Sequence, residues 1–127
     1  MPGRRILIVE DEDTIRQVAM LSLRKLAGHE VLAVESGAQA LAQAEAFMPE
    51  LIMLDVVMPD MDGPATLQAL RERPALATIP VVFLTARTLA REVAHLRGLG
   101  AVDVILKPFD PQGLCERVAQ VFDAPRR

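Results

Sequence analysis

The chain has 127 residues, 51% apolar and 24% charged, with a net charge of −3, which is the make-up of one soluble globular domain with a single core. No apolar run approaches the roughly 20 residues needed to span a bilayer, and the stretch from Met1 to Glu10 lacks the long apolar segment and cleavage site of a secretory signal, so no membrane insertion and a cytoplasmic location are expected. The single cysteine, Cys115, cannot form an internal disulfide or a cysteine metal cage and is expected in the core; without Trp, Tyr or a basic patch, direct nucleic-acid binding is not expected.

Arg5 to Val9 is a continuous apolar, β-branched run that stops abruptly at Glu10-Asp11-Glu12-Asp13, the pattern of a strand buried on both faces. Ile15, Val18, Ala19 and Leu26 then fall at helical spacing, with Thr14 and Gln17 as a capping-box pair and Gly28 as the stop. Asp13 and Thr14 are therefore read first as helix-start residues. Glu30 to Val34 is a second short strand. Ser36 and Gln39 open an alanine-rich helix carrying Leu41 and Phe47, which Pro49 ends by residue 48.

Leu51 to Leu54 is again wholly apolar and again ends in a carboxylate, Asp55. Met58 to Pro64 is dense in turn residues, with Asp60 and Asp62 beside Gly63, and Pro64 suits the first turn of a helix through Leu67 and Leu70. Pro80 to Thr85 is a fourth strand, followed by a helix with Leu89, Val93 and Leu96 on one side and Gly98 and Gly100 at its close. Val102 to Leu106 is a fifth strand. Asp110-Pro111 opens the last helix, striped by Leu114, Val118, Val121 and Phe122, and Ala124 to Arg127 is expected to fray. Strands alternating with helices predict a doubly wound α/β sandwich around a mostly parallel sheet, because parallel strands require crossover connections.

In such sheets ligands sit beyond the carboxyl ends of the strands, where the strand order reverses. The residues at the strand exits are Glu10 and Asp11, then Asp55, Thr85 and Lys107. Three converging carboxylates repel, so in a bare site at least one should have a raised pKa. A hard divalent cation relieves that conflict, and an all-oxygen set suits Mg²⁺, with Mn²⁺ as an alternative, far better than Zn²⁺. Lys107 adds a point positive charge and Thr85 a hydroxyl donor, which is what a phosphoryl group requires. A carboxylate can itself be the nucleophile, giving an aspartyl phosphate.

The stretches ILIVEDED, LIMLDVVMPDMDG, VVFLTA and VILKPF resemble the four signature segments of bacterial two-component response-regulator receiver domains of the single-domain, chemotaxis-regulator kind. The resemblance in element order covers essentially residues 1–127, with a core of about 4–123. It implies a five-stranded parallel sheet in the order 2-1-3-4-5 and a phosphorelay switch rather than an enzyme, one that catalyses only its own phosphorylation and dephosphorylation. It makes Asp55 the phosphoacceptor and Asp11 the main metal ligand, with Glu10 acting through water and the Val57 backbone carbonyl as a further ligand. Thr85 and Lys107 would contact phosphoryl oxygens, Ala86 would leave room for them, and Lys107-Pro108 would be a cis peptide bond. The implied donor is a sensor histidine kinase or a histidine phosphotransfer protein. The output would pass to a downstream protein target or through a homodimer.

The chain also departs from that family. An aromatic residue usually stands three positions before the lysine, and here the position is Val104, which has no ring to reorient; the output is then expected through the loop after Thr85 or the fourth helix. Val57 and Arg87 flank the path of an attacking water and are expected to tune the phosphoryl lifetime. His29 and His95 lie far in sequence from the strand exits and are read as non-catalytic, and Met48, Met53, Met58 and Met61 as packing or loop residues. Two rival functions remain: a pseudo-receiver acting only through protein contacts, and a small Mg²⁺-dependent aspartyl phosphohydrolase resembling the haloacid-dehalogenase type. The hydrolase wants a second Asp two residues after the nucleophile, where this chain has Val57. A nucleotide-binding role lacks the glycine-rich loop after the first strand.

Overall fold

The structure is a computed structural model that describes residues 3–86 and 89–124. Its strands are β1 (Arg5–Val9), β2 (Glu30–Val34), β3 (Leu51–Asp55), β4 (Val81–Thr85) and β5 (Asp103–Leu106). All pair in parallel, in the order β2-β1-β3-β4-β5. The helices are α1 (Asp13–Leu21), α2 (Gly37–Phe47), α3 (Gly63–Arg71), α4 (Ala90–Gly98) and α5 (Pro111–Asp123). This is the doubly wound sandwich that the alternating pattern predicts.

Strand side chains alternate between faces, and the register carries that alternation across the sheet. Leu7 pairs with Leu32 and Ile52, and Ile52 with Val81. Leu7, Val9, Ile52, Leu54, Val81, Phe83 and Val104 therefore share one face, where Ala40 and Ala44 of α2, Leu67 and Leu70 of α3 and Leu96 of α4 cover them. Ile6, Ile8, Met53, Leu84 and Ile105 share the other face under α1 and α5. Because both faces are covered, the strands read as unbroken apolar runs. Crossovers leave β1 and β3 toward opposite sides, which opens a crevice beyond their carboxyl ends.

The starts of α2, α3 and α5 are built as capping chemistry requires. Ser36 Oγ accepts from the Gln39 amide at 3.1 Å, and Gln39 Oε1 accepts from the Glu35 amide at 2.8 Å. Asp62 and Asp110 cap α3 and α5 by accepting from Ala65 and Gly113. Thr14 does not cap α1: the cap falls two residues earlier, at Glu12, in extended backbone and with no side-chain cap bond. Asp13 is instead ion-paired to Arg16.

Leu26 also departs from the helical stripe. A π-helical turn over Ser22–Leu26 follows α1, and its extra residue per turn shifts the phase. Leu23 is buried and Leu26 is 64% exposed. The Ser22 hydroxyl donates to the Val18 carbonyl at 2.6 Å, and the Ser22 carbonyl receives the Cys115 thiol at 3.3 Å. Cys115 is consequently half-buried at the helix contact rather than a full core residue. Smaller differences lie at element ends: β4 begins at Val81, β5 at Asp103, and Leu89, just before α4, points outward at 53% exposure. Gly28 and Gly100 take left-handed backbone where their helices reverse. Arg87 and residues 125–127 lie outside the described residues.

Gly63 holds the start of α3 against the end of β3. Its amide donates to the Val56 carbonyl at 2.8 Å, and an added Cβ would lie 2.4 Å from the Asp55 carbonyl oxygen. Only backbone could move to relieve that contact. Gly63→Ala should therefore lower unfolding free energy by about 1–3 kcal/mol in urea denaturation. Gly98→Ala, where a Cβ meets nothing within 4 Å, should be neutral or stabilising by up to about 1 kcal/mol; equal losses in both variants would contradict the close approach at Gly63.

Candidate functional site

The ends of β1, β3, β4 and β5 deliver polar side chains to the crevice. The Glu10 amide still pairs with the Val34 carbonyl at 3.1 Å, so Glu10 continues the line of β1 and is fully buried. Asp11, one residue further on, is exposed. Asp55 ends β3 and is 2% exposed; Thr85 ends β4 and is 1% exposed. The Lys107 amide donates to the Thr85 carbonyl at 2.8 Å, which anchors the residue after β5 to the end of β4.

The Lys107 ammonium lies between two carboxylates, donating to Glu10 Oε1 and to Asp55 Oδ1 at 2.9 Å each. One Glu10 oxygen serves Lys107 and the other, at 3.1 Å, the Glu12 amide. Glu10, Asp11 and Asp55 each bring a carboxylate oxygen within 4.8 Å of the others. They line a cleft of about 450 Å³ together with Val57, Thr85 and Lys107. The structure thus brings together every strand-exit residue singled out in the sequence. Lys107-Pro108 is cis.

The charge balance follows from this geometry. Burial, followed by hydrogen bonding to Glu10 and the Glu10 charge, raises the Asp55 pKa from 3.8 to about 7, against the opposing hydrogen bond from Lys107. Burial works against the charge on Lys107, but its bonds to Glu10 and Asp55 hold its pKa above the usual lysine value. One ammonium is too little positive charge for three carboxylates. The donors are all hard oxygens with a negative excess, which fits Mg²⁺ or a similar hard divalent cation.

Arg16 was not singled out in the sequence. Its guanidinium donates to the carbonyls of Glu10 at 3.0 Å and Asp11 at 3.4 Å, and its only sequence signal was a basic residue three positions after Asp13 in the first helix. The histidines stand apart from the cleft. His29 Nδ1 accepts from the Arg4 amide at 3.0 Å and its ring packs on Phe122; burial, then Arg4, lowers its pKa. His95 lines a different cleft with Arg91. Met53 and Met58 are buried, whereas Met48, in left-handed backbone, ends α2 with 56% exposure. Val104 is 4% exposed and packs in the core with Phe83 and Leu96.

Comparison with known proteins agrees across sequence and structure. The profile of the response regulator receiver domain matches residues 6–119. The alkaline phosphatase synthesis transcriptional regulatory protein PhoP of Bacillus subtilis is 33% identical over 120 residues, covering 94% of this chain and 49% of that protein. The chain therefore spans about half the length of such curated relatives. The chemotaxis response regulator CheY4 of Vibrio cholerae has a TM-score of 0.87 at 31% identity, covering 94% of this chain and 98% of that one. The receiver domain of the sensor histidine kinase PA1611 from Pseudomonas aeruginosa, solved with a magnesium ion coordinated in its active-site cleft, has a TM-score of 0.82 at 31% identity, with 94% and 96% coverage. With the sheet order, the strand-end cleft and the profile in agreement, this chain belongs to the response regulator receiver domain family.

Proposed function

We propose that this receiver domain is a phosphoacceptor switch in which Asp55 takes a phosphoryl group in a Mg²⁺-dependent reaction. The observation that carries the reading is the placement of Asp55 at the floor of a carboxylate-lined cleft with the Lys107 ammonium 2.9 Å away. Ionised Asp55 would attack phosphorus through a carboxylate oxygen while the bond from phosphorus to the donor nitrogen breaks, leaving an acyl phosphate on Asp55 and a neutral histidine on the donor. Glu10, Asp11, Asp55 and the Val57 carbonyl would hold the cation. When bound, the cation would neutralise the acidic cluster and the equatorial phosphoryl oxygens.

Lys107 would then exchange its Asp55 partner for a phosphoryl oxygen while keeping Glu10, and the Thr85 hydroxyl would donate to another. Attack of water on the acyl phosphate would reverse the modification, and Val57, 60% exposed at the rim of the cleft, would tune that rate; Arg87, assigned the same role, lies outside the described residues. The domain is a signalling module, and the only reactions assigned to it are its own phosphorylation and dephosphorylation. The donor would be a sensor histidine kinase or phosphotransfer protein in the cytoplasm, and the target a partner protein or a second copy. Among the described residues no helix is long and apolar enough to cross a membrane. The receiver domain is taken as residues 1–127 with its core at about 4–123.

Incubation with Mg²⁺ and acetyl phosphate should add one phosphoryl group by intact-mass measurement, with none in Asp55→Asn or in excess chelator. No adduct with any donor would favour a domain that acts through contacts alone. Sustained turnover of a generic phosphate ester would favour a hydrolase.

A second outcome concerns pH. In metal-free protein the folded-state pKa of Asp55, about 7, lies above its ordinary value of 3.8, so the folded state binds this proton more tightly than the unfolded state. Its contribution to stability therefore falls as pH rises from about 4 to about 7. Asp55→Asn removes that loss. In chelator, the variant should match wild type below pH 4 and exceed it above pH 7 by on the order of 4 kcal/mol, since a tenfold change in proton affinity is worth about 1.4 kcal/mol. A stability difference that does not vary with pH would contradict the electrostatic assignment.

A further inference from the structure

We propose that Arg16 is a positioning residue for the cation site, holding the Glu10–Asp11 pair through its peptide carbonyls; this rests on reading the cleft as a Mg²⁺ site. The sequence leaving β1 is four consecutive acids, Glu10 to Asp13. Left alone, such a segment would spread to separate its charges. Arg16 is the group that gathers it. Its side chain is only 14% exposed, and one guanidinium nitrogen donates to the carbonyls of Glu10 and Asp11 at 3.0 and 3.4 Å. The other pairs with the Asp13 carboxylate and stands 3.9 Å from Glu35 Oε1, just before α2. The Arg16 amide also closes the turn by donating to the Glu12 carbonyl at 2.9 Å.

A planar fork held at both ends fixes the peptide planes it contacts. Fixing the carbonyls of Glu10 and Asp11 fixes the directions in which their side chains leave the backbone. Partners of this outer kind typically change metal affinity by 10–100-fold when removed.

The positive charge of Arg16 and its geometry act on cation affinity with opposite signs. A nearby cationic group repels Mg²⁺, so an influence through charge alone predicts tighter binding when the charge is removed. An influence through position predicts weaker binding. A merely structural influence predicts lower stability with unchanged affinity.

The test is a Mg²⁺ titration of wild type, Arg16→Met and Arg16→Lys, followed by the amide resonances of Glu10, Asp11 and Asp55, with urea denaturation in chelator alongside. Methionine keeps most of the buried stem without the guanidinium. Lysine keeps the charge but not the fork. The expected result is a Kd for Mg²⁺ about 10-fold or more weaker in both variants, measured on protein that is still folded. If Arg16→Met does not fold, Arg16→Lys decides by the same criterion. Unchanged or tighter binding in the folded variants, with a normal wild-type response, overturns the inference alone. Absence of any Mg²⁺-dependent shift in wild type overturns the functional reading and the inference with it.

Discussion

The mutual repulsion of Glu10, Asp11 and Asp55 is the constraint around which the carboxyl edge of the sheet is arranged. Two like charges about 5 Å apart repel by roughly 3 kcal/mol at an effective dielectric of about 20, a sizeable share of the 5–15 kcal/mol that typically holds a domain together. The fold accepts this cost because a parallel sheet ends all its strands on the same side. Two cationic side chains restrain it from opposite directions. Lys107 reaches in from β5 and bonds the carboxylates of Glu10 and Asp55, whereas Arg16 works from behind the loop on the carbonyls of Glu10 and Asp11. A charge excess remains, and burial together with the neighbouring Glu10 leaves Asp55, at the end of β3, a carboxylate of raised basicity.

The same edge bears on how a change at Asp55 could leave the molecule. Thr85 is linked to Lys107 through its backbone carbonyl, so the ends of β4 and β5 are mechanically joined at the cleft. Two residues before Leu106, Val104 is packed in the core rather than standing as a surface ring. Its neighbour Asp103 accepts from Arg97 of α4 at 2.9 Å and from Arg117 of α5 at 2.8 Å. The far side of β5 is thus tied to both flanking helices by ion pairs. A displacement of Thr85 would meet a packed valine and a charged clasp in place of a swinging aromatic.

Much of this was legible in the sequence, and the exceptions have physical causes. The strands stood out because burial on both faces demands unbroken apolar runs, and the strand-exit residues stood out because each run ended in charge or hydroxyl. The capping residues Ser36 and Asp110 were readable from local chemistry, whereas Asp62, read as a turn former, also caps α3. Thr14 was misleading because the cap falls at Glu12, beside a segment that Arg16 contacts through the backbone carbonyls of Glu10 and Asp11, which leave no trace in composition. Leu26 was misplaced because periodicity assumes 3.6 residues per turn, and the π-helical turn after α1 breaks that count. The division of labour between buried Glu10 and exposed Asp11 was equally hidden, since adjacent acids look alike until the hydrogen bond from Glu10 to Val34 shows where the strand ends.

The central claim is that the fold buries Asp55 among like charges strongly enough to raise its pKa and, on the proposed function, to favour a divalent cation beside it. The direct measurement is a ¹³C NMR titration of the Asp55 side-chain carboxyl, with and without Mg²⁺. The account predicts a midpoint near pH 7 in chelator and a marked fall when Mg²⁺ is added. A midpoint near 3.8 without metal, or one that Mg²⁺ leaves in place, would contradict it.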